Sequence, residues 1–281
     1  MTKNFILGTA QFNSNYGVNC DRGFIGPKNA QLILDKAKSA GFKCLDTAET
    51  YLGARNLLPK LELHEYKIIT KIMVAGQLHD VSHRIEEALT AYKGNEVDIL
   101  VHDPEKLTAG EIDKLFNTIE KLKASWHFRF GLSIYEPSML TLYEKYFGEI
   151  EIVQAPCNVL DNRLLESNFY EKLLHSGVEL HSRSAFLQGI LLMDCHGLHK
   201  KLTFAEKDIH SFSEFIKANK IDRLGYCLWH AIHRGFDQTV LGVNSEKDLE
   251  DIVDSISTGN PIKKNYDDTV INTRTIDPRS W

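Results

Sequence analysis

The sequence is poor in the features that mark exported and disulfide-bonded proteins. Its 281 residues include only five cysteines, an odd number, and no C-x-x-C pair. Neither a disulfide framework nor a cysteine-based metal site is therefore indicated. The first twelve residues carry one lysine and one short apolar stretch, which is too little for the core of a signal peptide. We therefore expect a protein of the reducing cytoplasm.

Long apolar runs, a strong charge excess and phosphate-binding glycine motifs are also missing. No uninterrupted apolar run approaches the roughly 18 residues of a membrane span. The 33 Lys and Arg residues against 38 Asp and Glu residues exclude a dominant basic surface for nucleic acid. Neither G-x-G-x-x-G nor G-x-x-x-x-G-K-[ST] occurs, so a dinucleotide would need a site of another kind. We expect no nucleic-acid and no membrane partner, and the oligomeric state is not indicated.

Short apolar runs alternate with stretches of helical spacing along the whole chain. The predicted strands are Phe5 to Leu7, Lys43 to Leu45, Lys67 to Thr70, Val97 to Val101, Phe128 to Leu132, Ile150 to Gln154, Val178 to His181 and Thr239 to Gly242. The predicted helices are Asn29 to Ala40, Val81 to Tyr92, Ala109 to Lys123, Glu136 to Phe147, Leu164 to His175, Phe204 to Asn219 and Glu246 to Ile256, with an additional one from Leu224 to His233.

Eight such alternations predict an α/β fold, a single (β/α)8 TIM barrel. Neighbouring parallel strands need a crossover, and each crossover here has helical spacing. We assign residues 1–262 to the barrel and residues 263–281 to a C-terminal tail without periodicity.

Three successive predicted strands end in an ionisable residue. Asp46, Lys71 and His102 are separated by 25 and 31 residues, one strand-helix unit each. Tyr51 follows Asp46 in the next loop. Because catalytic residues of such barrels lie at the carboxyl ends of the strands, we expect these four side chains at one rim. Taken singly, each has an ordinary structural explanation, such as a helix cap or a solvated charge.

Together, these four residue types suit the delivery of a proton to an oxygen. A phenol has an ordinary pKa of about 10, and an adjacent ammonium lowers that pKa by stabilising the phenolate. Lys71 can supply this charge to Tyr51, and a carboxylate such as Asp46 can hold the ammonium in place. A neutral imidazole such as His102 can hydrogen bond a carbonyl oxygen and orient it.

The chain resembles the aldo-keto reductase superfamily over nearly its whole length. The motifs that carry the resemblance are Leu45-Asp46-Thr47-Ala48-Glu49-Thr50-Tyr51, Ile69-Thr70-Lys71, Val101-His102-Asp103-Pro104, Phe130-Gly131-Leu132-Ser133, Val153-Gln154-Ala155-Pro156-Cys157-Asn158 and Leu241-Gly242-Val243-Asn244-Ser245. The resemblance implies an NADPH-dependent reductase of aldehydes and ketones. It also implies that Tyr51 is the proton donor, tuned by Lys71, with Asp46 as anchor and His102 orienting the small-molecule carbonyl substrate.

The same matching implies a set of contacts to the cofactor. Two residues would bind the nicotinamide carboxamide, a loop after the seventh strand would follow the pyrophosphate, and a turn after the eighth would hold the adenosine 2'-phosphate. The residues implied are Ser133, Gln154, Arg183, Ser184, Phe186, Gln188, Gly189, Gly242, Asn244 and Ser245.

The sequence departs from the family pattern mainly at the cofactor contacts. Ile134 replaces an Asn that binds the carboxamide, and Arg183 replaces a Tyr that stacks on nicotinamide. Ser245 stands where an Arg or Lys commonly clamps the 2'-phosphate, although Lys247 can supply that positive charge instead. Ile252 replaces an Asn that commonly contacts the adenine. The resemblance implies NADPH as the cofactor, and these departures leave NADH as an alternative.

The segment from Arg183 to Gly189 is most similar to reductase-like proteins of bacterial surface-polysaccharide gene clusters, which implies a sugar-type carbonyl substrate. The rim loops, including Leu187 to Thr203, would select that substrate. We further expect Trp126, Cys157 and His181 to help line the pocket.

Two other functions remain open. A barrel that binds nicotinamide without catalysis would tolerate the altered cofactor contacts. A metal-dependent barrel enzyme is disfavoured, because the histidine pairs His79 with His83 and His196 with His199 lack the Glu of an H-E-x-x-H motif. We predict no metal site.

Overall fold

The computed structural model describes residues 5–12, 25–194, 198, 200–258, 265–266 and 271–281. Within them, eight parallel strands hydrogen bond side by side in chain order, and the first pairs with the last to close a barrel. The strands are β1 (Phe5–Gly8), β2 (Cys44–Asp46), β3 (Lys67–Ile72), β4 (Val97–Val101), β5 (Arg129–Ser133), β6 (Ile152–Pro156), β7 (Glu179–Arg183) and β8 (Gln238–Gly242). The predicted (β/α)8 barrel is confirmed.

Helices connect the strands and cover the outside of the barrel. They are α1 (Pro27–Ser39), α2 (Leu52–Leu57), α3 (Val81–Ala91), α4 (Ala109–Lys123), α5 (Asn168–His175), α6 (Glu206–Asn219), α7 (Arg223–Ile232), α8 (Glu246–Thr258) and α9 (Thr273–Ile276). Helix α4 begins at a capping box between Thr108 and Glu111 and buries one apolar face, as its spacing predicts. No helix among the described residues is long and apolar enough to cross a membrane.

Side chains that point into the barrel form layers, because alternate residues of a strand face the same side. The middle layer is apolar and includes Ile69, Leu100 and Ile152. Two residues further along their strands come Lys71, His102 and Gln154 at the carboxyl rim. An apolar layer in the middle of the barrel is therefore followed by a polar layer at the carboxyl rim. The predicted site residues meet in this polar layer.

Two predicted helices differ from the observed elements. The segment predicted from Glu136 to Phe147 forms a 3-10 helix, Pro137–Tyr146, in which Leu140 and Tyr143 are buried. Their spacing of three fits the three residues per turn of a 3-10 helix better than an α-helix. Helix α5 begins at Asn168, later than predicted, because the side chain of Ser167 caps it by accepting from the Phe169 N–H.

The described part of the C-terminal tail packs onto the barrel. Ile276 is buried in a second apolar cluster with residues of α6 and α7. The buried hydroxyl of Thr275 donates to Asp208 of α6 at 2.5 Å. Beyond α9, Arg279 reaches the loop after β4 and pairs with Glu105 at 3.5 Å. The tail therefore ends beside the carboxyl rim of the barrel.

Gly131 of β5 lies where no side chain fits. A Cβ atom at this position would come within 2.1 Å of the Ile152 carbonyl oxygen and 2.8 Å of Leu100 Cδ2. We predict that Gly131→Ala lowers the free energy of unfolding by roughly 3 kcal/mol, because the backbone of β6 must move. Urea unfolding followed by circular dichroism measures this change.

Gly110→Ala is the matched control, since a Cβ at this position in the first turn of α4 meets nothing within 4 Å. We expect it to change the stability by less than about 1 kcal/mol. Equal stabilities of the two variants would contradict the close approach of β5 and β6.

Candidate active site

The carboxyl ends of the strands surround one cavity of about 350 Å³. Its size is within the range of small-molecule sites. The predicted site residues that line it are Asp46, Tyr51, Lys71, His102, Ser133, Arg183, Ser184, Phe186, Gln188, Gly189, Gly242 and Asn244. Gln154 and Ser245 are not part of this lining. The structure thus brings residues from six strands and the loops that follow them to one site.

A buried ion pair forms the floor of the cavity. Lys71 is 1% exposed, and its Nζ donates to both carboxylate oxygens of Asp46, at 2.5 and 2.6 Å, and to the Thr47 carbonyl at 3.1 Å. Gln154 Nε2 donates to Asp46 Oδ2 from the far side of the barrel at 2.8 Å. A buried ammonium is tolerated only with such partners, so Asp46 holds Lys71 charged and in place.

Tyr51 and His102 stand above this pair at the mouth of the cavity. Tyr51 precedes α2, and the Lys71 Nζ lies 5.6 Å from the centroid of its ring. The His102 ring meets the Tyr51 ring edge to face, with the centroids 6.1 Å apart. The hydroxyl of Thr50 lies 3.3 Å from His102 Nδ1. A phenol, an ammonium and an imidazole are therefore grouped as the sequence predicts.

The surroundings shift the pKa values of two of these groups. Burial, followed by the charges of Lys71 and Arg183, lowers the pKa of His102 to about 4. The imidazole is consequently neutral at physiological pH. Burial also lowers the pKa of Lys71, whereas the adjacent carboxylate of Asp46 opposes that shift.

The loop after β7 has an unusual backbone. Ser184, Leu187 and Gln188 have positive φ angles of 62°, 48° and 53°, and Gly189 follows at 93°. Left-handed backbone costs a non-glycine residue about 1 kcal/mol or more, so the surroundings must hold it. Asn158 contributes by donating from Nδ2 to the Ser184 carbonyl at 3.2 Å. Backbone turns of this kind form concavities of N–H groups that bind anions.

Two predicted carboxamide ligands lie at different depths. Ser133 lines the cavity, whereas Gln154 is completely buried with its Nε2 engaged by Asp46. Gln154 Oε1 is buried without a hydrogen-bond partner among the described residues. Buried acceptors are rarely left unpaired, so Gln154 Oε1 is available to a donor that reaches this depth.

The turn after β8 is closed by its own side chains. Ser245 Oγ accepts from the Asp248 N–H at 3.0 Å. The Asp248 carboxylate accepts from the backbone N–H of Asn244 at 3.0 Å and from its side-chain amide at 3.4 Å. Ser245 therefore stabilises the start of α8, and Asp248 and Asp251 line the cavity beside it.

Arg183 is held by residues that sequence reasoning missed. Its Nη2 donates to the Ile134 carbonyl at 3.0 Å, and its guanidinium packs 4.1 Å from the centroid of the Tyr135 ring. Arg279 of the tail packs on the same ring at 4.0 Å. Tyr135 lines the cavity. Its position just after β5 could have identified it from the sequence as a residue of the carboxyl rim. Nothing in the tail sequence pointed to Arg279.

The prediction that three further residues line the pocket is wrong. Trp126 precedes β5 at the opposite end of the barrel, where its side chain is 36% exposed. Cys157 is fully buried in the apolar core, outside the cavity. His181 points into the barrel one layer below Arg183, where its Nε2 lies 2.8 Å from Glu179 Oε1.

The candidate metal pairs find no support in the described part of the chain. His79 and His83 are both exposed. No group of three His, Cys, Asp or Glu side chains among the described residues is arranged for a metal ion. His196 and His199 lie outside the described residues.

The effect of the Arg183 charge on the pKa of His102 can be tested by removing that charge. We predict that His102 titrates near pH 4 and that Arg183→Gln raises its pKa, because one of the cations that disfavours the imidazolium is removed. NMR titration of the histidine ring signals measures both values. Lys106→Gln is the matched control, since Lys106 is exposed and has the weakest effect of the cations near His102. An unchanged pKa in Arg183→Gln would refute the arrangement.

Comparison with known proteins finds structures of the same fold. The chain is similar in structure to the aldo-keto reductase AKR11C1 from Bacillus halodurans in its holo form, with a TM-score of 0.69, 15% identity, and 92% of this chain and 88% of that chain covered. It is also similar to MGS-M4, an aldo-keto reductase enzyme from a Medee basin deep-sea metagenome library, with a TM-score of 0.60, 14% identity, and 95% and 96% covered.

At these identities the likeness shows the shared fold. No curated protein sequence matches the chain significantly. The model of the aldo/keto reductase family, however, matches residues 4–266, which include the rim residues and the cavity described above. On this match, the chain is a barrel oxidoreductase that belongs to the aldo/keto reductase family.

Proposed function

We propose that the protein reduces the carbonyl group of an aldehyde or ketone, with hydride from NADPH or NADH and a proton from Tyr51. The observation that carries this proposal is the buried pair of Lys71 and Asp46 beneath Tyr51 and His102, at the mouth of one cavity. A phenol and a neutral imidazole beside each other would suit the delivery of a proton to a carbonyl oxygen that becomes an alkoxide.

The residues of the cavity fit a nicotinamide cofactor. Gln154 Oε1 and the Ser133 hydroxyl would bind the carboxamide, and the left-handed backbone from Ser184 to Gly189 would hold the pyrophosphate. A bound reduced nicotinamide supplies the hydride. Gly242 lines the same cavity and has no side chain to narrow it. A Cβ atom at this position would lie 3.0 Å from Gln11 Nε2.

Tyr51 is the proposed proton donor to the carbonyl oxygen. The positive charge of Lys71, held 5.6 Å from the Tyr51 ring centroid, favours the phenolate that is left behind. Lys71 directs hydrogen bonds to Asp46 and Thr47, so it acts on Tyr51 by its charge. Asp46 keeps the ammonium charged and prevents it from moving into the cavity.

His102 is the proposed orienting group. Its low pKa keeps the imidazole neutral, so it can donate one hydrogen bond without adding a second charge. The contact with Thr50 engages Nδ1, and Nε2 is then the nitrogen that contacts the carbonyl oxygen. The hydrogen bond fixes the substrate oxygen between His102 and Tyr51.

The substrate that we propose is a small carbonyl compound, and a sugar-type carbonyl is favoured by the sequence pattern from Arg183 to Gly189. Polar groups at the mouth of the cavity, including Tyr135 and Arg183, suit a hydroxylated substrate. We propose a reducing cytoplasm as the location, since Cys44, Cys157 and Cys227 of the described part are free thiols.

Tyr51→Phe tests the proton donor. We expect the variant to lose at least about 100-fold in turnover of a nitrobenzaldehyde, because general acid catalysis of this kind contributes 10² to 10⁴. Its affinity for the cofactor should stay within about threefold of that of the wild type, since the hydroxyl is not needed to hold the dinucleotide. Steady-state absorbance of the reduced cofactor and fluorescence titration measure the two quantities.

Tyr170→Phe is the matched control. It removes a hydroxyl that donates to the Gly235 carbonyl outside the cavity, and it should leave turnover intact. Full turnover by Tyr51→Phe would refute the assigned role. Cofactor binding by the wild type without turnover of any aldehyde would instead support the non-catalytic nicotinamide-binding barrel, and failure to bind at millimolar cofactor would overturn the proposal.

A further inference from the structure

We infer that the cofactor site of this chain selects NADH and rejects NADPH through Asp248 and Asp251 at the start of α8. The inference rests on the proposed function, since it concerns how the same cavity would hold a dinucleotide. It assigns specificity to two side chains for which the motifs of the sequence provided no role.

The strand that each lining segment follows indicates which end of a dinucleotide meets α8. Tyr51 and His102 mark one end, where the reacting nicotinamide must lie. The left-handed segment from Ser184 to Gly189 borders the middle. At the far end the cavity is lined by the turn after β8 and the first two turns of α8. The adenosine half, with its ribose 2' position, therefore faces α8.

The start of α8 would ordinarily attract a phosphate, because the free N–H groups and the dipole of a helix N-terminus favour an anion. In this chain side chains already occupy the turn that leads into α8. The Ser245 hydroxyl accepts from the Asp248 N–H, and the Asp248 carboxylate accepts from both N–H groups of Asn244. A 2'-phosphate would have to displace a carboxylate that is bonded to the same turn.

The charges around this end repel a further anion. Helix α8 carries five carboxylates against one lysine, namely Glu246, Asp248, Glu250, Asp251 and Asp254 against Lys247. The Lys247 ammonium is engaged by Asp251 at 2.8 Å, and Lys36 is held between Glu246 and Glu250. Among the described residues that line this end of the cavity, none is a lysine or an arginine.

The 2'-hydroxyl of NADH and the 2'-phosphate of NADPH would interact differently with Asp248 and Asp251. The 2'-hydroxyl of NADH is a donor, and a carboxylate is a strong acceptor for it. The 2'-phosphate of NADPH would bring about two negative charges to within a few ångströms of two carboxylates, and the nearby Lys247 is already paired with Asp251. The same two side chains thus favour one cofactor and oppose the other.

Titration of the cofactor-free protein with NADH and with NADPH, followed by the change in nicotinamide fluorescence, tests the inference. We expect NADH to bind at least about tenfold more tightly at low ionic strength. Asp248→Asn combined with Asp251→Asn should strengthen NADPH binding about tenfold and change NADH binding much less. Asp251→Asn alone, at an exposed position, should move the ratio in the same direction even if the double variant fails to fold.

Asp254→Asn is the matched control, because it removes the same charge from α8 at an exposed position that does not line the cavity. It should leave the ratio of affinities within about twofold. Equal affinities of the wild type, or tighter binding of NADPH, would overturn the inference while leaving the proposed function intact. If neither cofactor bound at millimolar concentration, the proposed function itself would fail, and the inference with it.

Discussion

The buried charge of Lys71 is the constraint on which the site depends. An ammonium that is 1% exposed must have its partners in place, and they come from other strands than its own. Asp46 of β2 pairs opposite Ile69 of β3, two residues before Lys71, so the register of these strands brings carboxylate and ammonium together. Gln154 of β6 holds the carboxylate from across the barrel. A shift of register would leave a buried ion without its partner.

The two ends of the cavity differ in charge. At one end Lys71 is balanced by Asp46, and Arg183 adds a cation that forms no ion pair with any described residue. Burial, followed by the charges of Lys71 and Arg183, lowers the pKa of His102, and in the proposed reaction the same charges would favour negative charge on a substrate oxygen. At the other end Asp248 and Asp251 line the wall. The proposed reaction and the proposed cofactor preference therefore draw on the same uneven distribution of charge.

The sequence pattern predicted the strands correctly, because the local backbone geometry determines where they lie. The strand predictions lie within two residues of the observed ends, because alternation and apolar runs reflect the backbone period. The segment from Glu136 to Phe147 was misjudged because apolar residues at spacing three also fit an α-helix. Cys157 and His181 were misplaced for another reason. Cys157 lies within a family motif and His181 ends a predicted strand, but the depth of a side chain within the barrel depends on the layer it occupies.

The sequence by itself determined the barrel, the rim position of Asp46, Lys71 and His102, and the membership of a family whose motifs it carries. The barrel and the rim position follow from period and spacing, which the chain encodes locally, and the family follows from the motifs and the match to the family model. Only the tertiary structure decided that Arg279 packs on the ring that supports Arg183, and that Asp248 binds the turn before α8 while lining the cavity. Such contacts join residues that are distant in sequence or that share a face only once a helix is packed, and no local period specifies them.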